Sequence, residues 1–592
     1  MGRKKKEIIE DVFIPSKYQE AIFDFVKNGS GNAVIEAVAG SGKTLSAMKC
    51  LGLIEPDKKV LFISFGKDIV EELTKRVKKI TNNKNIKCQT FHSLGNMIVR
   101  ECYNGVIDPE PNIFKYKSYI YNNIVELSDK FFFRLKKEDR DKYVNNILKY
   151  IDYGRYYLCE TEKDLDFVEE HYDILTYRDE KEIALMAMEW GKENLDTIDY
   201  NDMIWLPNVL ECCKDYKLDY DWIICDECQD TMKTEREMLL RFAKKDVRML
   251  FFGEKVQCIY SFMGSDYRSF DELRKIPNTI SLPLSISYRC SKNVVKLAKR
   301  FNPHIEARDG APDGNVSYNV GIDQINDGDM VLCRLNAPLL QLFSELTKIG
   351  KQSYIRGRDI GSNLITLIKK TKEEYLNRNL ESEGVFSKLY SDFLYDVEII
   401  MKKHNITLEM AMEDMTISSE YDKIKSLEII SNGINTSEEL IDKIRSIFSD
   451  RKKKGVELST IHKAKGLESD NVFICCPSLL PLKSAKKEWE IEEELNLEYV
   501  AYTRAKINLS FLDEKMFESN NSSNSAVKLD VDDIRKKLLS IGCSTPKTSA
   551  EIIANSKPIE KERGKTIDLG KINNKARVSG FQPQKTKKRR LF

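Results

Sequence analysis

Residues 37–44 read Ala-Val-Ala-Gly-Ser-Gly-Lys-Thr, directly after the apolar run Ala33-Val34-Ile35 and directly before a helix-forming stretch. A strand that feeds a glycine loop and then a helix start aims backbone N–H groups and the positive end of the helix dipole at one point. A polyphosphate is the natural occupant. Ala39, Gly40, Ser41 and Gly42 supply the cradle, Lys43 is expected to reach the β and γ phosphates, and Thr44 to hold a magnesium ion through its hydroxyl. Ala37 stands where the usual pattern has its first glycine. Such a strand, loop and helix predict an α/β fold.

A second signal lies far along the chain. Asp221-Trp222-Ile223-Ile224-Cys225 has the apolar run of a buried parallel strand, and it ends in Asp226-Glu227-Cys228-Gln229-Asp230. Adjacent acids at the carboxyl end of such a strand are costly unless used. Asp226 is expected to hold the magnesium ion through water, and Glu227 to polarise the water that attacks the γ phosphate. The alternative is a solvated acidic turn. With the glycine loop in hand, hydrolysis of ATP with Mg2+ is the expected chemistry.

The bulk composition sets limits. At 592 residues with 41% hydrophobic content, the chain has room for about four domains of roughly 150 residues each. Lys and Arg total 95 against 93 Asp and Glu, so attraction to nucleic acid must come from local patches. No run of 18 apolar residues exists, and the start Met-Gly-Arg-Lys-Lys-Lys lacks a signal-peptide core, so a soluble, intracellular protein with no membrane partner is expected. Fourteen cysteines follow no framework, and Cys225, Cys475 and Cys476 sit in apolar runs that suit reduced core thiols. Cys225 and Cys228 make a C-x-x-C spacing, but it is embedded in the carboxylate motif with no histidine near, which argues against zinc.

A third strand, Arg248-Met249-Leu250-Phe251-Phe252, leads into Gly253-Glu254-Lys255-Val256-Gln257-Cys258-Ile259-Tyr260-Ser261-Phe262-Met263-Gly264. Asp-Glu-x-Gln-Asp followed by this segment resembles the UvrD, Rep and PcrA group of superfamily 1 DNA helicases. Further segments match in order: Gln19 ahead of the glycine loop, Ser64-Phe65-Gly66-Lys67, Thr90-Phe91-His92-Ser93 and Asp199-Tyr200-Asn201-Asp202-Met203. Leu284 to Arg289, Thr460 to Glu468 and Tyr499 to Lys506 resemble motifs IV, V and VI. The resemblance spans roughly residues 15 to 512.

That resemblance implies two RecA-like P-loop domains, parallel sheets flanked by helices, with helical insertions called 1B and 2B. It implies that Gln19 reads the adenine edge, Tyr288 stacks on the adenine face, Glu468 holds the ribose and Gln257 senses the γ phosphate. Charge spread over a departing γ phosphate is stabilised by guanidinium groups arriving from a facing domain, and Arg289 and Arg504 are the candidates. An isolated arginine would read as a surface cation. Phe65, His92, Tyr260 and Phe262 supply rings for stacking a single strand, with Arg334, Asn336 and His462 in the adjoining segments. For Phe65 or Phe262 alone, core packing is the plainer reading.

The implied partners are single-stranded and tailed duplex DNA, with movement 3′ to 5′. A single-strand-stimulated ATPase that displaces proteins without processive unwinding is the alternative. Bacterial relatives usually show Gly-Asp where this chain has Gly253-Glu254, and aromatic-Arg-Gly where it has Phe262-Met263-Gly264. Coupling between ATP and strand is the step those changes touch.

The expected layout is RecA-like domain 1A in 1–95 and 199–280, insertion 1B in 96–198, RecA-like domain 2A in 281–360 and 455–515, and a short insertion 2B in 361–454. Helical spacing supports the insertions at Tyr143, Val144, Ile147, Leu148 and Ile151, and again at Leu364, Leu367, Ile368, Ile424, Leu427 and Ile430. Residues 516–592 are expected to be a flexible linker and a basic tail ending Lys587-Lys588-Arg589-Arg590-Leu591-Phe592. Three readings of the tail stand open: a phosphate-binding arm, a peptide docking on a protein partner through Leu591-Phe592, or a nuclear import signal.

Overall fold

The computed structural model describes residues 13–517, apart from 82, 175, 374–381, 405, 407, 413 and 451–453. Of the linker and basic tail expected at 516–592, residues 518–592 lie outside the described residues. Two six-stranded sheets, both parallel throughout, are built around short, apolar and wholly buried inner strands, as continuous apolar runs dictate.

The first sheet uses β1 (Asn32–Ala37), β2 (Val60–Ile63), β3 (Ile86–Gln89), β4 (Trp222–Cys225), β5 (Arg248–Gly253) and β6 (Thr279–Leu284), in the order β3-β2-β4-β5-β1-β6. A small parallel pair, β7 (Ile286–Ser287) with β8 (Glu306–Ala307), follows. The second sheet uses β9 (Val316–Val320), β10 (Met330–Cys333), β11 (Ser353–Ile355), β12 (Val456–Thr460), β13 (Ser469–Ile474) and β14 (Ala505–Leu512), in the order β11-β12-β10-β13-β14-β9. The chain is thus α/β with two parallel sheets flanked by helices. One boundary needs correction. β6 crosses the division expected at residue 280 and pairs along its whole length with β1, because its side of the sheet would otherwise leave the β1 backbone exposed.

Helices fill the interval between β3 and β4, including Phe91–Cys102, Lys137–Tyr157 and Tyr200–Val209. Tyr143, Val144, Ile147 and Ile151 are buried in a cluster that continues into the first sheet through Val34, Leu61 and Phe251. A buried ionic knot fixes this layer. Arg155 donates to Asp199 and Asp202, and Lys115 donates to Asp202 at 2.8 Å. Every charge in the knot has an opposite partner, which offsets the cost of removing it from water. A second helical group lies between β11 and β12, including Arg358–Glu373 and Met415–Ser431, and packs Leu364, Ile368, Ile424, Leu427 and Ile430 against the second sheet.

One core cluster joins the two halves. Val38, Ala39 and Ile259 from the first half pack with Cys290, Val294, Ile461, Leu497 and Tyr499. The seam therefore runs through the glycine loop. Among the described residues, no helix is long and apolar enough to cross a membrane.

Candidate nucleotide site and strand-contacting surface

The glycine loop leaves β1 and turns with Gly40 at φ +69° and Gly42 at φ +78°, a left-handed conformation that costs other residues about 1 kcal/mol. Gly40 is required for a second reason. A Cβ there would lie 2.3 Å from the Cβ of Arg289, whose neighbour Tyr288 donates its N–H to the Gly40 carbonyl at 2.9 Å. The loop thus touches the segment leading into the second half.

Lys43 opens the helix Lys43–Leu51, and its Nζ lies 2.7 Å from Glu227 Oε2. The Thr44 hydroxyl donates to Asp226 Oδ2 at 2.7 Å. Burial works against the Lys43 charge, yet Glu227, Glu254 and Asp226 hold its ammonium above the usual lysine range. Burial likewise raises Asp226, helped by the Glu227 charge. For Glu227 burial is overridden by Lys43 and Lys465, which hold the carboxyl low. Glu227 sits at φ +57°, a strained setting for a residue with a side chain, and such strain concentrates at functional positions. The Thr44 hydroxyl and the Asp226 carboxylate are hard oxygen donors side by side, so the pair fits Mg2+.

The cations expected from the facing half are both present. Arg504 is 1% exposed, and among the described residues its guanidinium donates to neutral oxygens: the Val500 and Leu467 carbonyls and the Thr503 hydroxyl. Burial and the nearby Arg289 lower it to about 10. Arg289 donates to Glu468 Oε2 at 2.7 Å and to the Thr503 carbonyl at 3.2 Å. Tyr288 is exposed beside them. Gln19 is buried, but its amide is engaged in the capping box of the helix Lys17–Asn28 and donates to Ser46 at 3.0 Å.

Sequence reasoning missed the bridge between the halves. Glu254 is fully buried and accepts from Gln257 and from the Tyr499 hydroxyl, which itself accepts the Ala39 N–H at 3.2 Å. Burial pushes Glu254 up to about 7 against the pull of Lys43. Lys465 donates to Asp230 and, at 2.7 Å, to the Gln257 carbonyl. The partners that cross between the halves stand more than 200 residues apart in the chain.

The expected strand-contacting residues fall into two groups. Phe262 is exposed, lies edge-on to His462 at 5.6 Å and tilts against Tyr260 at 6.4 Å. Tyr260 donates to the His462 carbonyl and lies under Lys465 Nζ. Phe65 packs half-buried against Phe91, and His92 lies edge-on to the exposed Tyr200. Burial, with Arg334, Lys465 and Lys463, keeps His462 well below its ordinary value and so neutral. Arg334 and Asn336, by contrast, are engaged internally. Arg334 makes two donations to buried Glu494, and Asn336 donates to buried Asp422 at the start of the helix Asn336–Lys348. Tyr153 and Tyr172, from the first helical group, donate to the carbonyls of Phe262 and Ser261 and hold that turn in place.

Residues 18–277 match the family described as UvrD/REP helicase N-terminal domain. Among curated proteins the chain is 24% identical to the ATP-dependent DNA helicase Rep of Buchnera aphidicola, over 81% of this chain and 92% of that protein. It is 21% identical to a probable DNA helicase II homolog of Mycoplasma genitalium, over 83% of this chain and 84% of the relative. It is 24% identical to the ATP-dependent DNA helicase PcrA of Bacillus subtilis, over 52% of this chain and 44% of that protein. The glycine loop, the Asp-Glu pair and the buried arginine that meet at one seam accord with this likeness, and residues 18–277 carry a UvrD/REP helicase N-terminal domain.

Proposed function

We propose that the chain is an ATP-dependent DNA helicase and translocase that moves 3′ to 5′ along a single strand and separates duplex ahead of it. The observation that carries this reading is the meeting of Lys43, Thr44, Asp226 and Glu227 with a buried Arg504 whose guanidinium, among the described residues, donates to carbonyl and hydroxyl oxygens and to no carboxylate. An unpaired buried guanidinium is costly, and a phosphate oxygen is the partner that removes the cost.

In this reading Lys43 leaves Glu227 for the β and γ phosphates of ATP. Withdrawing that cation raises the basicity of Glu227, which then orients the attacking water and takes up its proton. Thr44 and Asp226 hold the magnesium ion, which neutralises phosphate oxygens when bound. Arg289 and Arg504 stabilise charge on the leaving phosphoryl group, Tyr288 and Gln19 hold the base, and Glu468 holds the ribose. Gln257 reports the γ phosphate through Glu254 and Lys465. The two sheets act as RecA-like domains 1A and 2A, and the helical groups as insertions 1B and 2B. Phe65, His92, Tyr260, Phe262 and His462 hold a single strand by stacking and polar contact.

The internal pairing of Arg334 and Asn336 favours a second reading, in which the strand is held loosely and ATP turnover displaces bound proteins without processive unwinding. Strand displacement with ATP on duplexes bearing a 3′ tail, a 5′ tail or no tail separates the two. Unwinding of the 3′-tailed duplex alone is expected. ATP turnover stimulated by single strands with no unwinding of any duplex selects the second reading, and unwinding from a 5′ tail overturns the polarity.

A further inference from the structure

Three cysteines meet where β10 and β13, neighbours in the middle of the second sheet, end. Cys333 closes β10, and Cys475 and Cys476 follow β13. All three are fully buried, and their sulfurs lie within 4.8 Å of one another. Consecutive residues of an extended chain project to opposite sides. Here the chain leaves the extended state at Cys476, with φ +51°, and the sulfurs of Cys475 and Cys476 come to 3.7 Å. A left-handed non-glycine residue that gathers two thiols onto a third is a costly arrangement for mere core filling.

The spacing suits one ion. Thiolate sulfurs lie about 2.3 Å from a bound zinc ion, which sets three of them about 4 Å apart around a trigonal centre. The donor set also selects the ion. Among the described residues no carboxylate or imidazole joins the three sulfurs, so oxygen-preferring cations are excluded and soft, closed-shell ions are favoured.

We infer that Cys333, Cys475 and Cys476 form a three-thiolate site for a thiophilic d10 cation, Zn2+ or Cu(I), that staples the ends of β10 and β13. Binding releases up to three thiol protons to solvent and changes no oxidation state. The staple acts on the strand-contacting surface, because the Cys333 carbonyl accepts the Ile461 N–H at 3.1 Å, beside His462, and the chain continues directly into Arg334 and Asn336. Full burial means that the ion enters on folding and resists a chelator until the chain unfolds.

The test uses the full chain, refolded from denaturant under reducing conditions in the presence of Zn2+ or of Cu(I), desalted and analysed for metal by mass spectrometry. One ion per chain is expected with at least one of the two, and the two arms distinguish them. Cys475→Ala and Cys333→Ala are expected to lower retention at least tenfold, while Cys212→Ala, which removes an exposed thiol, leaves it unchanged. X-ray absorption on the loaded wild type keeps the test decisive should the buried variants fail to fold. A first shell of sulfur alone is expected; a shell of nitrogen or oxygen overturns the site. Equal metal retention in folded Cys475→Ala, no retained ion in the wild type, or conversion of two of these thiols to a disulfide in place of metal binding also overturns it.

Discussion

The two six-stranded sheets are built alike, yet they meet the nucleotide site from opposite ends. In the first sheet the site residues follow the strands: Lys43 and Thr44 after β1, Asp226 and Glu227 after β4, Glu254 and Gln257 after β5. In the second sheet they precede the strands, with Glu468 just before β13 and Arg504 just before β14. The carboxyl edge of one sheet therefore faces the amino edge of the other. This head-to-tail packing explains why two similar folds make one cradle. Backbone N–H groups and acids gather where strands end and helices begin, and the second half, offering its other edge, contributes only side chains that reach across. Its own carboxyl edge is left for different partners, the three thiols and the ring of His462 among them.

Three variants at the cradle and its reaching cation break or sharpen that contrast most. Arg504→Ala removes the reaching cation and leaves the cradle whole, so turnover of ATP should fall about 10³-fold or more while nucleotide affinity changes little. Loss of affinity without loss of turnover would contradict the division between the halves. Glu227→Gln acts inside the cradle, and the expected fall in turnover is about 10²- to 10³-fold; normal turnover would displace Glu227 from its role. Lys43→Ala should act at least as strongly on turnover and should also weaken binding.

Glu254 sits on the seam itself. Its folded value, about 7, is above the ordinary glutamate value, so the folded state binds the extra proton. Stability from this group is present below about pH 4.5 and is lost as pH rises through 7. The full loss is about 3 kcal/mol at most. Lys43, Arg504, Glu227 and Tyr499 face the same carboxyl, so the readout is the difference between wild type and Glu254→Gln in the nucleotide-free protein. The variant's unfolding midpoint should decline less between pH 5 and 8, and parallel pH profiles would refute the assignment. The smallest effect is expected from Phe65→Ala or Tyr260→Ala, which should weaken single-strand stimulation by about 1–3 kcal/mol per lost ring and leave basal turnover intact.

The glycine loop, the Asp-Glu pair and the apolar strands were legible because each is encoded within a few neighbouring residues, where strand burial and helix polarity act directly. Arg504 was legible only through an ordered set of motifs, since nothing local distinguishes it from a surface cation. The partners of Arg334 and Asn336 were not legible at all. Glu494 lies 160 residues from Arg334 and Asp422 lies 86 from Asn336, and no local period links them. The same distance effect hid the contact between Glu254 and Tyr499. Reading Cys475 and Cys476 as buried thiols captured their environment, but only the turn at Cys476 and the arrival of Cys333 show that they converge.

Gly40 carries no side chain at a point where the glycine loop and the Tyr288-Arg289 segment rest on each other. Nothing compressible lies between them. A shift of the loop by a fraction of an ångström on loading must be felt by Arg289 directly, with no side chain to absorb it, so the joint behaves like a bearing with zero clearance. A single methyl group at Gly40 would be a wedge in that bearing, holding the two halves ajar whatever the nucleotide beneath it.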